Sequence, residues 1–164
     1  MAEFATDSRD VVSASCAGIN DTSEAVPTGY QLYSFIAFHL SDGKIVSVGW
    51  IKESDGRSAF GSIQNADGSG AHGSSLQPGS LAAGSHNFCL SYSGGNWNMT
   101  ADGNQFFSVA DAVGSSSGGS VQFQTSIANK SGQPAAQTLV IPGFHDITVG
   151  GHAPTRLVGG SYRF

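Results

Sequence analysis

The sequence predicts an all-β chain: a two-sheet antiparallel sandwich, jelly-roll-like, with about eight or nine strands and little or no helix. Three observations predict it. Asp-Gly occurs at Asp42-Gly43, Asp55-Gly56, Asp67-Gly68 and Asp102-Gly103, and this dipeptide tolerates the positive φ angles of tight hairpin turns. The stretches between turns alternate apolar and polar residues with period two. No window sustains a 3.6-residue apolar period, and 23 glycines interrupt every helical candidate. Many short strands with regular turn signals bury their apolar faces by stacking as two sheets.

Each element follows from its own pattern. Met1-Ala2-Glu3-Phe4 reads as an expression remnant and is set aside, leaving a single sandwich domain over 5–164. Tyr30 to Leu40 puts Leu32, Ile36, Phe38 and Leu40 on one face and the aromatic rings of Tyr33 and Phe35 on the other. Ser41-Asp42-Gly43 turns it into a β-branched run from Ile45 to Ile51, which includes Trp50. Ser85 to Tyr92 sends Phe88, Leu90 and Tyr92 one way and Cys89 the other. Ser93-Gly94-Gly95-Asn96 leads into Trp97 to Thr100, and Asp102-Gly103 into Gln105 to Val109. Val121 to Ile127 is the cleanest alternation, with Val121, Phe123 and Ile127 set against Gln122, Gln124 and Ser126. Thr138 to Ile141, Asp146 to Val149 and Leu157 to Phe164 complete the set. Asn65 to Gly84 and the tract Gly114 to Ser120 read as mobile loops.

Of the 164 residues, 39% are hydrophobic and only 12% charged, about half the charged share of an ordinary soluble domain. The polar surface must therefore be largely Ser, Thr, Asn, Gln and Gly, a choice that suits extracellular β proteins. Seven Lys and Arg stand against twelve Asp and Glu, for a formal charge of −5. With no basic stripe to neutralise phosphates, nucleic acid is not an expected partner, and no stretch is long and apolar enough for a transmembrane helix. The two cysteines, Cys16 and Cys89, are expected to form one disulfide, closing a loop of about 73 positions and contributing about 4 kcal/mol. Three Asn-X-Ser/Thr sequons, at Asn20, Asn98 and Asn129, are compatible with a secreted or extracellular location.

Motifs that suggest catalysis fail on context. Gly68-Ser-Gly70-Ala-His-Gly73 fits the dinucleotide fingerprint and Gly114-Ser-Ser116-Ser-Gly118 the nucleophile elbow. Both chemistries need a strand running into a helix, and neither string has one. The histidines, His39, His72, His86, His145 and His152, have no partner at metal-ligand spacing, so neither metal nor cofactor is expected. His145 and Asp146 are neighbours, which on a regular strand would face opposite ways. Nothing in the sequence selects a Ser/His/Asp set, and the expected protein is not an enzyme.

The aromatic residues point to binding instead. Tyr92, Trp97, Phe106 and Phe107 cluster around two tight turns among Asn96, Asn98, Asp102, Asn104 and Gln105. A sugar site needs a ring to cover C–H groups, with amides or carboxylates for the hydroxyls. Tyr92, Asn96, Trp97 and Asp102 are accordingly the candidate ligand-binding residues, against the alternative that Trp97 and Phe106 are core. The surrounding segment, Leu81 to Gly103, resembles the hairpin of laminin-G-like and other concanavalin-type jelly rolls, families that bind glycans and cell-surface ligands. The galectin-type His/Asn/Arg/Trp/Glu sugar signature is missing from it. Phe35 to Trp50 is similar to a hairpin of actinoporin-like sandwiches, which include fungal lectins and cytolysins. Their membrane-binding aromatic cluster and amphipathic N-terminal helix have no counterpart here.

These features converge on a secreted or surface-exposed binding module for carbohydrate or a cell-surface glycoconjugate, lectin- or adhesin-like, which could act as a homo-oligomer. A membrane-acting cytolysin-type toxin and a structural fibre or tail domain are the alternatives.

Overall fold

The computed structural model describes residues 2–5, 15–21, 25–67, 71–77, 81–111, 119–129, 143–153 and 158–160. Among them the chain forms the expected all-β, two-sheet antiparallel sandwich, without helix. Its strands are β1 (Ala2–Ala5), β2 (Ser15–Ile19), β3 (Tyr30–Leu40), β4 (Ile45–Glu53), β5 (Gly56–Gln64), β6 (Ala71–Gln77), β7 (His86–Ser93), β8 (Asn96–Ala101), β9 (Asn104–Ala110), β10 (Gly119–Asn129), β11 (Phe144–Thr148) and β12 (Val158–Gly160). The larger sheet runs β12-β1-β10-β3-β4-β5-β6 and the smaller β11-β2-β7-β8-β9.

Period-two alternation sorts each strand between core and surface. On β3, Leu32, Ile36, Phe38 and Leu40 are buried while Tyr33, Phe35 and His39 remain half-buried on the outer face. Along β8, Trp97, Met99 and Ala101 point inward. The two inner faces meet in one cluster that includes Phe38, Val46, Val48 and Trp50 from the large sheet and Ile19, Phe88, Leu90, Trp97 and Met99 from the small one. Phe38 and Trp97 touch across the gap, with ring centroids 5.8 Å apart. Gly61 makes the close approach of the sheets possible: a methyl group there would fall 2.2 Å from Met99 Sδ.

The turns behave as their residues demand. Gly43 has φ of +84°, and its N–H donates to the Leu40 carbonyl at 2.9 Å, closing the β3–β4 hairpin. Asp102 and Gly103 both take positive φ between β8 and β9, the type I′ signature of Asp-Gly. Cys16 and Cys89 are directly opposite in the β2–β7 register and are bonded as a disulfide, as expected.

Seven of the nine expected segments coincide with or overlap strands; of Leu157 to Phe164 only residues 158–160 are described, as β12, and Thr138 to Ile141 lies outside the described residues. Four further strands come from segments read otherwise or not read at all. Asn65 to Gly84 is not wholly a loop: it contains β6, which pairs with β5 from Ala59↔Gln77 to Gln64↔Ala71. β1 pairs with β10 and β12 and takes in Ala2, Glu3 and Phe4, which were set aside above, as well as Ala5. β2 and β5 are the other two. Of the loop expected over Gly114 to Ser120, residues 119 and 120 open β10, and the nucleophile-elbow string lies outside the described residues. So does the start of the dinucleotide-like string, whose last three residues, Ala71 to Gly73, lie in β6.

Candidate functional site

The outer face of the large sheet carries a cleft of about 310 Å³. Strand alternation aims Tyr33, Phe35 and His39 of β3, Ser47 of β4, Phe60, Ser62 and Gln64 of β5, and Gln124 and Ser126 of β10 into it. Its floor depends on Gly49, which lies directly between Phe35 and Phe60 in the register. A methyl group at Gly49 would fall 2.1 Å from the Ser34 carbonyl oxygen and 2.6 Å from Phe35 Cα. With no side chain between them, Phe35 and Phe60 meet edge to face at 5.8 Å, and Tyr33 meets Phe60 the same way at 5.8 Å. T-shaped contact leaves ring faces available to a third group. The rim is polar. Tyr33 donates its hydroxyl to Gln31 Oε1 at 2.7 Å, and the Gln124 amide reaches Gln122 Oε1 and approaches His39 Nε2 at 3.5 Å. A concave site with an aromatic floor and a few polar groups around it has the usual make-up of a small-molecule site.

The structure does not bring Tyr92, Asn96, Trp97 and Asp102 together as one patch. Asn96 and Asp102 cap opposite ends of β8, on the order of 20 Å apart at about 3.3 Å per residue. Trp97 is fully buried, so its ring has no face to offer a ligand. Its indole N–H donates to Asp111 Oδ2 at 3.1 Å, and Tyr92, packed on the same ring at 4.9 Å, donates its hydroxyl to the Asp111 carbonyl at 2.8 Å. Asp111 is itself buried and also receives Lys44 Nζ at 3.0 Å. That hydrogen bond holds the Lys44 ammonium above its usual range, against the opposing effect of burial. This corner is thus a satisfied polar anchor for the β4, β8 and β9 ends. Asn96 donates its amide to the Gly94 carbonyl at 3.0 Å, within its own turn.

Asp102, at the other end, holds His86. Its Oδ2 accepts from His86 Nδ1 at 2.7 Å, its Oδ1 accepts from the Asn87 backbone N–H at 2.8 Å, and His86 Nε2 faces the Ala82 carbonyl at 3.0 Å. Both ring nitrogens therefore face acceptors. Burial opposes a charged His86 ring, but the bonds to Asp102 and Ala82 outweigh it, and its pKa is raised above 6.5. Burial likewise pushes Asp102 upward, but the bonds from His86 and Asn87 bring it below 3.8. Asp102 lines a second cavity, about 610 Å³, on the outer face of the small sheet. Among the described residues, no group of three or more His, Cys, Asp or Glu side chains is placed to hold a metal ion.

No family model matches the sequence, and no curated protein matches it. Solved structures do match its fold. One is the crystal structure of Caenorhabditis elegans galectin LEC-6, with a TM-score of 0.52 and 12% identity over 76% of this chain and 83% of that one. At that identity the likeness is one of fold: this chain has a galectin-like β-sandwich.

Proposed function

We propose that the protein is a secreted or surface-exposed carbohydrate-binding module, lectin- or adhesin-like, that takes its sugar on the outer face of the seven-stranded sheet. The observation that carries this reading is the Phe35–Phe60 pair over Gly49, inside a cleft rimmed by hydroxyl, amide and imidazole groups. The exposed ring surface covers the C–H face of a pyranose. Gln124, Ser62 and Gln64 supply neutral donors and acceptors for its hydroxyls without a charge that would demand an ionic ligand. The galectin-like sandwich and the Cys16–Cys89 disulfide support it, the latter because disulfides persist in oxidising compartments.

A glycan array, with light scattering for oligomeric state, tests the reading on three proteins: the wild type, Phe60→Leu and Asn96→Ala. Phe60→Leu keeps an apolar side chain but removes the aromatic face, so affinity for the captured glycan should fall at least tenfold. Asn96→Ala should leave it unchanged. The reverse result would move the site to the β7–β8 turn, and a blank array would remove the sugar reading.

A further inference from the structure

We propose that Ser85, His145 and Asp146 form a nucleophilic site for small O-acyl esters, opening into the cavity on the outer face of the five-stranded sheet. The three side chains form a continuous chain of contacts. Ser85 Oγ lies 2.6 Å from His145 Nε2, and His145 Nδ1 lies 2.8 Å from Asp146 Oδ2. A carboxylate oxygen accepts, so Nδ1 is the ring nitrogen that donates to Asp146, and Nε2 is left as the acceptor for the serine hydroxyl. A nucleophile within reach of a base that a third group orients is the arrangement acyl transfer requires. All three residues line the same solvent-open cavity, together with Asn87.

Two irregularities of the backbone build this set. On a regular strand His145 and Asp146 would point to opposite faces, the expectation stated above. Here β11 is bulged against β2 between His145 and Thr148, and Asp146 takes a φ of +48°. The bulge returns the Asp146 carboxylate to the ring of its own neighbour. A non-glycine residue at positive φ is uncommon, and such residues gather at functional sites. The second irregularity is Gly18, flanked in register by His145 on β11 and Asn87 on β7. A methyl group there would fall 2.2 Å from His145 Cε1 and 2.6 Å from both ring nitrogens. The imidazole therefore lies across the bare backbone of β2 and so reaches Ser85, two strands away.

The step follows. Ser85 Oγ attacks the ester carbonyl carbon as its proton passes to His145 Nε2. The bond to the leaving alcohol breaks, and the alcohol takes that proton. Water, activated by the same imidazole, then attacks the acyl-serine, releasing the carboxylic acid and restoring Ser85. Asn87 lines the same cavity as Ser85, and its side-chain amide, whose Nδ2 also approaches Cys89 Sγ at 3.7 Å, is the donor for the developing oxyanion. Asp146 does not touch the substrate. It is a positioning residue that fixes the imidazole tautomer.

The test uses p-nitrophenyl acetate hydrolysis and labelling by a fluorophosphonate, read by intact mass and peptide mapping. One covalent adduct on Ser85 is expected, absent in Ser85→Ala. Ester hydrolysis should fall at least about 100-fold in Ser85→Ala and His145→Gln, both surface changes that leave the fold intact. Asp146→Asn should lower kcat with KM unchanged, a split that loss of local structure would not produce. Gly18→Ala should abolish labelling without altering any reacting group. Wild-type hydrolysis no faster than that of Ser85→Ala, or an adduct on any other residue, would overturn the proposal. Glycan binding, measured on the same variants, should be unaffected, because the sugar cleft lies on the other sheet.

Discussion

Gly49 and Gly18 lie on opposite outer faces of the sandwich, each beside a ring from an adjacent strand, and the comparison between them separates two uses of an absent side chain. At Gly49 the nearest obstacles to a methyl group are backbone atoms of β3, and the space holds two phenylalanine rings in contact. At Gly18 the nearest obstacles are atoms of one imidazole, the end of a side chain that can rotate away. The first glycine is built into the sheet itself, while the second serves a single hydrogen-bonded side chain. The larger face is thus a fixed stacking surface. The smaller is a polar site whose parts can separate without loss of fold.

The sheets also differ in what holds them. β3 pairs with β10 over eleven register positions, from Gly119↔Leu40 to Asn129↔Tyr30, so the large sheet is held by long ladders. The small sheet depends on β2, five residues long and joined to β7 by the disulfide. The largest effect expected is therefore on this side. Replacing Cys16 and Cys89 by Ser releases a loop of 73 positions, which should cost about 4 kcal/mol. Chemical denaturation measures it, and hydrogen exchange should show β2 and β11 losing protection before β3 and β10. Uniform loss across both sheets would mean that they unfold as one unit and that the contrast is false.

Next in size is the glycine pair. Gly49→Ala forces β3 and β4 apart and should cost about 1–3 kcal/mol. Gly18→Ala turns the His145 ring aside and loses one exposed hydrogen bond, for about 1 kcal/mol or less. Thermal melts of the two variants side by side decide the matter. Equal losses would show that His145 has no freedom to move, and that the small face is as rigid as the large one.

Much of this architecture was legible in the sequence, and each failure has its own physical cause. The alternation of β3 displayed both its core set and the outward Tyr33 and Phe35 that form the cleft. β5 escaped notice because Arg57-Ser-Ala-Phe-Gly-Ser-Ile-Gln64 has few β-branched residues and is interrupted by Gly61, the residue that admits Met99. β6 escaped because its Gly and Ser content reads as loop. Around Trp97, two of the amides that suggested a sugar site belong to the outward half of a strand: Asn96 and Asn98 alternate with buried Trp97, Met99 and Ala101. Interleaved amides and aromatics mark a site only when both point the same way. On Val121 to Ile127 the same period put Gln122, Gln124 and Ser126 outward, the last two into the cleft. The Ser85–His145–Asp146 set left no trace, since a bulge overrides the period on which any reading of neighbouring residues rests.

The smallest expected effect concerns the titrating pair at the edge of the smaller face. His86 has its pKa raised above 6.5, so its contribution to stability is full below that value and is lost as pH rises through the folded-state pKa. Asp102 has its pKa lowered below 3.8, so its contribution is present above that value and is lost as pH falls through the folded-state pKa. The pair therefore stabilises most between those limits. The urea midpoint of the wild type minus that of Asp102→Asn, measured across pH, should be greatest at about pH 5 and shrink toward both pH 3 and pH 8. Because the Asp102 carboxylate is half exposed, at 48%, salt should reduce the difference further. A difference that stays flat, or grows above pH 7, would mean that Asp102 stabilises its turn through the Asn87 N–H alone and that the His86 charge plays no part. Phe60→Leu, on the other face, should give a midpoint difference that does not vary with pH.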